Sequence, residues 1–448
     1  VNFIIVSIPH LRLTPCEILE IEMYQTPTCS TFCRVLALVI ALTGFSGAHS
    51  AQVSALTLAD AERLALETDY TLQAIDARGQ SMSELAVAAE QLPDPKLRLG
   101  MMNLPLDTFK LGQEAMTQVV IGLKQEFPRG HTRSLSGVQV RKGVQRNEEE
   151  ALDRRARILL AVRVEFTEIL LQHKRAAILE HSLEAFTDLA QITEDYYATG
   201  RVQQQDAIRA SLELSRVIER LSTVHQREEE ARARLAERIG PAAWGELAPD
   251  WPGISQPKPG QEIIEGLASH PRLRAWQHEI ARFETGEEIA RQRYKPGFAV
   301  DVAYGGRSGT NFDGRSRPDL LSVMLTMDIP LFTTNRQDRV VASRVAETSA
   351  TRFARDDTYR SLRGQVEVNS AALDRELERL ELYETTLLPQ AAFNAEAAFE
   401  AYQDAVDDLT TLMRARISEY ELKLDHASLQ SDELKTRARL LYLQGEPS

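Results

Sequence analysis

The sequence predicts an α+β membrane protein built as two structural repeats, each combining two bilayer-length strands with very long helices. Three observations carry this: landmarks that recur at a nearly constant interval, four short segments in which apolar and polar residues alternate, and a proline-free run long enough for one rod-like helix.

The interval is seen at several points. Pro95 and Pro296 each open a strand-like segment, 296 − 95 = 201 positions apart, and Pro128 and Pro330 each close the next one, 330 − 128 = 202 apart. Tyr197 and Tyr402 stand 402 − 197 = 205 apart, as do Gly240 and Gly445. Landmarks kept in order with a slowly drifting offset indicate a duplication, each half running helix, strand, strand, very long helix, turn, helix. The expected division is a leader over 1–50, a first repeat over 51–240, a linker over 241–260 and a second repeat over 261–448. The linker holds Trp244, Trp251 and several prolines and cannot be one regular element.

Strands are expected at about 96–103, 117–127, 297–304 and 319–329, where side chains alternate with period two. Phe298, Val300, Val302 and Tyr304 alternate with Ala299, Asp301 and Ala303; Leu321, Val323, Leu325, Met327 and Ile329 alternate with Ser322, Met324, Thr326 and Asp328. In the first half Leu97, Leu99 and Met101 oppose Arg98 and Gly100, while Val119, Ile121, Leu123 and Phe127 oppose Gly122, Lys124 and Glu126. Each segment approaches the roughly 9–11 residues that a tilted strand needs to cross a bilayer. Four strands leave two open edges, which hydrocarbon does not tolerate, so closure needs partner chains.

From about Arg133 to Tyr197 there is no proline, and one helix over that run would be on the order of 100 Å long. Leu179, Leu183, Phe186 and Ala190, then Ala210, Leu214, Val217, Leu221 and Val224, and again Leu373, Leu377 and Leu380, keep the alternating four- and three-residue spacing of a coiled-coil seam.

Composition excludes several classes. A formal charge of −13 argues against nucleic-acid binding, since a protein that reads phosphates normally presents a basic face. No nucleophile elbow, phosphate loop or zinc motif is present, so neither enzymatic activity nor a cofactor is expected. The glycine-rich run 305–309 follows a bilayer-type strand and opens no helix, which speaks against phosphate binding there. His131, His173, His181, His225, His270, His278 and His426 are scattered without metal-ligand spacing. The runs Glu148, Glu149, Glu150 and Glu228, Glu229, Glu230 read as solvated helix faces.

At the N-terminus Arg34, the apolar run 35–43 and the small residues Gly47, Ala48, Ser50 and Ala51 read as a signal peptide, cleaved near Ser50 or Ala51, with Met23 as the expected true start. Cys16, Cys29 and Cys33 lie upstream of that point, so the mature chain is expected to carry neither thiol chemistry nor a lipid anchor.

The duplicated layout, the segment 56–74 (LTLADAERLALETDYTLQA), its echo at 266–275 (GLASHPRLRA) and the turn Tyr197, Ala198, Thr199, Gly200, Arg201 resemble the TolC-like outer-membrane efflux protein family. The family usually has Asn-Pro where this chain has His270-Pro271 and Asp69-Tyr70. The resemblance implies a homotrimer whose protomers each give four strands to a 12-stranded β-barrel, continued by a coiled-coil periplasmic tunnel. It also implies two partners, a periplasmic adaptor protein and an inner-membrane transporter, expected to be proton-driven. Passive export of metal cations or small toxic compounds is the expected function; the exit duct of an ATP-driven protein-secretion system and a soluble periplasmic coiled-coil scaffold are the alternatives. By the resemblance, the tips that meet the adaptor comprise Tyr197, Thr199, Gly200, Arg201, Tyr402, Ala405 and Asp407, and Asp206, Asp404 and Asp408 are the candidate gate. Where the family carries its gate acids, this chain has Thr411 and Arg414.

Overall fold

The computed structural model describes residues 55–404 and 406–445; the expected leader with its three cysteines, and Ala405, lie outside them. The first half runs α1 (Leu58–Thr68), α2 (Tyr70–Ala89), β1 (Lys96–Met102), β2 (Gln118–Phe127), α3 (Thr132–Ala198) and α4 (Gln204–Ile239). A 3₁₀ turn (Gly240–Trp244) and an irregular stretch lead to α5 (Gly260–Gly266), α6 (Pro271–Gln292), β3 (Gly297–Gly306) and β4 (Leu320–Asp328). The chain then forms α7 (Gln337–Leu382), a π-helical turn (Tyr383–Leu387), α8 (Leu388–Gln403) and α9 (Leu409–Gln444).

The single long helix expected from the proline-free run is present: α3 has 67 residues. Its counterpart contains Pro389, which lacks an N–H and whose ring collides with the carbonyl four residues back. The π turn relieves this, with the Leu388 amide donating to the Tyr383 carbonyl five residues earlier, and helix continues through residue 403. Counted through the π turn, 337–403 is also 403 − 337 + 1 = 67 residues, and α4 and α9 have 36 each.

The four strands form one sheet in the order β1-β2-β3-β4, antiparallel throughout. Its pairings continue below into the helices, where α2 packs on α3, α3 on α6 and α6 on α7, the same lateral order as the strands to which they connect.

Far from the sheet, Leu179, Phe186 and Leu189 of α3, Val217 and Val224 of α4, and Leu409, Leu412, Met413 and Tyr420 of α9 form one core. Along α4, Ala210, Val217, Val224 and Ala231 are buried at strict seven-residue intervals, the period of a left-handed supercoil. Two seam assignments are corrected. Leu189 rather than Ala190 is buried in α3, and Leu377 in α7 is exposed, because the neighbouring Glu376 is the residue turned towards α9, where it accepts from Thr436 at 3.2 Å. Between the halves, Leu247 and Ile254 are buried and the Trp251 indole donates to Gln430 at 3.0 Å, fastening the irregular segment to the helices.

Candidate functional site: membrane sheet and helix tips

Register divides the sheet into two faces. One carries the rows Leu97, Leu123, Val302, Val323 and Leu99, Ile121, Tyr304, Leu321, with Phe127 stacked on Phe298 (centroids 5.2 Å) and Met327 at one end. These large side chains are exposed; Leu321 and Val323 show 73% and 69% of their surface. The other face carries Arg98, Gly122, Ala303, Ser322 in one row and Lys96, Lys124, Asp301, Met324 in the next. Here ion pairs join Arg98 to Asp301 (3.0 Å) and Glu126 to Lys96 (2.8 Å) and Lys124 (3.4 Å). Gly122 is required for close strand approach, since a Cβ there would lie 3.0 Å from the Ala303 Cβ.

A sheet with bulky apolar residues outward and small, charged residues on the opposite face suits a wall between lipid and water. Among the described residues its outer strands β1 and β4 have no neighbour on one side, so the sheet leaves two edges of backbone groups unpaired.

At the far end of the helices, α3 closes in a Schellman cap: the Arg201 amide donates to the Tyr196 carbonyl (2.8 Å), the Gly200 amide to Tyr197 (3.0 Å), and Gly200 takes φ +75°. In the second half the Val406 amide donates to the Ala401 carbonyl at 2.9 Å, the same five-residue span displaced by 205. Thr199 is the C-cap of α3, Tyr197 is exposed, and Arg201 instead stacks over Tyr196 at 5.4 Å.

The structure brings Tyr402 into the first tip. It packs on the core formed by α3, α4 and α9, near Thr193, Tyr196 and Asp206, and burial raises its phenol pKa. Asp206 and Asp408 both begin helices. The Gln203 amide donates to Asp206 (3.3 Å), and Asp408 accepts from the Thr411 amide (2.8 Å) and hydroxyl (3.0 Å), which holds the Asp408 carboxyl below the usual range. Asp407 accepts from the Asp408 amide at 2.8 Å, and exposed Asp404 is the C-cap of α8.

Sequence reasoning missed the residues that tie the tips together. Arg209 of α4 donates to Thr410 of α9 (2.6 Å), and Arg220 donates to the Tyr420 hydroxyl (2.7 Å) and pairs with Glu421. Their separations of 410 − 209 = 201 and 420 − 220 = 200 are close to the repeat interval, the one signal that could have found them. Two charge assignments are corrected as well: Glu149 is buried and paired with Arg274 (2.6 Å), and Glu228 binds His173 (2.7 Å) and Arg232 (2.8 Å), so neither is a merely solvated charge. His270 is a buried helix cap, its Nδ1 accepting from the Arg272 amide and its Nε2 donating to the Tyr442 carbonyl, both at 3.2 Å. Asp69, 270 − 69 = 201 positions earlier, caps α2 through the Leu72 amide and pairs with Arg154, each at 2.6 Å.

Fold and site define a two-faced, four-stranded antiparallel sheet with two open edges, continued by two pairs of long helices. Residues 263–446 match the family model for outer membrane efflux protein, and the resemblance drawn from the sequence is borne out. Several solved structures share the fold. VceC of Vibrio cholerae is 15% identical with a TM-score of 0.73, over 87% of this chain and 96% of that one. MtrE of Neisseria gonorrhoeae, in its open state, is 14% identical at 0.70, over 87% and 89%. CusC is 13% identical at 0.73, over 87% and 92%. No curated protein sequence matches.

Proposed function

We propose that the chain is the outer-membrane channel of a tripartite efflux pump, which conducts small toxic compounds passively from periplasm to exterior. The observation that carries this reading is the two-faced sheet with two unpaired edges: it is complete as a lipid-facing wall only when further copies supply the missing strands. Three copies give 12 strands, so the assembly is a homotrimer. Its two repeats run 51–240 and 261–448 about the linker 241–260.

The tips formed around Tyr197, Thr199, Gly200 and Arg201, and around Tyr402 and Asp407, receive the periplasmic adaptor, which links the channel to a proton-driven inner-membrane transporter. Both reversals are shaped by backbone caps, which present fixed surfaces at the end of the tunnel. Three copies of Asp206, Asp404 and Asp408 surround the opening there. Asp206 and Asp408 hold their helices in place, and Asp404 is the one of the three whose carboxylate is not used in a cap.

Two measurements test this. The mature chain, fractionated from cells, is expected in the outer membrane as a heat-modifiable trimer; a detergent-independent monomer without β signal would end the channel reading. A deletion strain challenged with dyes and antibiotics, and separately with metal salts, is expected to be sensitised to the first group. Sensitisation to neither, with protein export impaired, would favour the secretion duct.

A further inference from the structure

The chain's charge is −13, yet five arginines converge on one concavity where the sheet meets the helices. Arg129 precedes α3, Arg293 follows α6, Arg336 is the N-cap of α7, and Arg339 and Arg344 lie on its first turns, so three stretches distant in sequence build it. The cavity measures 990 Å³, and Glu347 is the one acidic residue in its wall. Arg129 donates to Asp328 (3.0 Å) and to the Arg293 carbonyl (3.0 Å), and Arg344 pairs with Glu347 (2.7 Å). Among the described residues, Arg293, Arg336 and Arg339 make no ion pair.

The cavity adjoins the small and charged face of the sheet, which Arg129 reaches through Asp328. Asp328 pairs with Gly297 in the row next to Ala299 and Thr326, on the small and charged face of the sheet, and a Cβ on Gly297 would lie 3.0 Å from the Arg129 Cγ. Like charges gathered in a concave wall focus a positive potential into the solvent between them. Guanidinium groups present paired N–H donors matched to phosphate and carboxylate oxygens.

Resting on the channel reading above, we propose that this concavity is an oxyanion site in the conduction path, taking small molecules that carry multivalent phosphate or carboxylate groups. In the trimer three such sites encircle the passage just below the barrel, so anionic cargo accumulates there and free metal cations are repelled.

The test is calorimetric titration of the purified full-length trimer in detergent with inorganic pyrophosphate, repeated on Arg293→Gln/Arg336→Gln/Arg339→Gln and on Glu347→Gln. The triple variant is expected to lose affinity by at least about tenfold and Glu347→Gln to gain it, with the wild-type affinity falling as salt shortens the screening length. If the triple variant does not assemble, Arg339→Gln alone carries the test, with a loss of about threefold. Equal binding by wild type and variants, or none by wild type, overturns the site. So does displacement of pyrophosphate by phosphatidylglycerol micelles at matched phosphate, which would assign the arginines to a lipid headgroup. Bilayer conductance of the same preparations is read separately: intact conductance without pyrophosphate binding rejects the oxyanion site alone, and absent conductance rejects the channel.

Discussion

Replacing His270 by alanine removes a buried helix cap whose cost can be worked from the structure. The imidazole is 1% exposed and uses both nitrogens, Nδ1 for the Arg272 amide and Nε2 for the Tyr442 carbonyl, while its ring meets Tyr442 edge-on at 5.2 Å. Losing a cap costs about 0.5–2 kcal/mol and losing the edge-on ring contact about 0.5–1.5 kcal/mol, while the Tyr442 carbonyl keeps the Gly445 amide at 3.0 Å. A local loss of about 1–3 kcal/mol accelerates amide exchange in the opening segment by roughly 5- to 150-fold. Hydrogen exchange across residues 267–274 of the detergent-solubilised trimer reads this directly. His270→Asn, which keeps a cap acceptor, is expected to recover most of the protection. Titration adds a second check. Burial holds the His270 pKa below its usual value, so the neutral form is the one that folding favours. The stability it contributes is complete above about pH 6.5 and is lost as pH falls through the lower folded value. Wild type should therefore gain exchange in this segment on acidification, and the asparagine variant should not. An alanine variant exchanging like wild type at neutral pH would refute the capping argument.

Three further outcomes follow from the geometry. Val323→Arg faces lipid and costs about 2–4 kcal/mol near the bilayer centre, so folded trimer should fall sharply on a heat-modifiability gel, whereas Ser322→Arg, one residue away on the channel face, should assemble. Gly200→Val forces a β-branched residue into φ +75°; it should weaken drug resistance while leaving the barrel and its trimer intact, as fractionation and gel mobility would show. Asp408→Asn keeps an N-cap acceptor and removes the charge; if capping is its whole role, conductance and ion selectivity in planar bilayers stay at wild-type values, while Asp408→Ala loses about 1 kcal/mol from the start of α9.

Much of the fold was legible because its signals are local. The alternation around Val302 and Val323 marks strands by itself, since period two survives whatever the strand pairs with. The run after Arg133 lacks proline and forms one helix for reasons contained within the run. Pro389 shows where such reasoning stops: whether a proline ends a helix or is absorbed by a π turn depends on what continues to hold the helix beyond it. The seam was misplaced at Ala190 and Leu377 for a related cause, because spacing identifies a face but not the neighbour that covers it.

The sequence by itself determined the duplication, the four strands and the long helices, all written in patterns that repeat within a few residues or at one fixed interval. The tertiary structure decided which charges meet. It placed Glu149 on Arg274, Arg220 on Tyr420 and five arginines from three separate stretches around one cavity. Such encounters depend on how elements far apart in the chain pack side by side, and no local pattern encodes the distance between them.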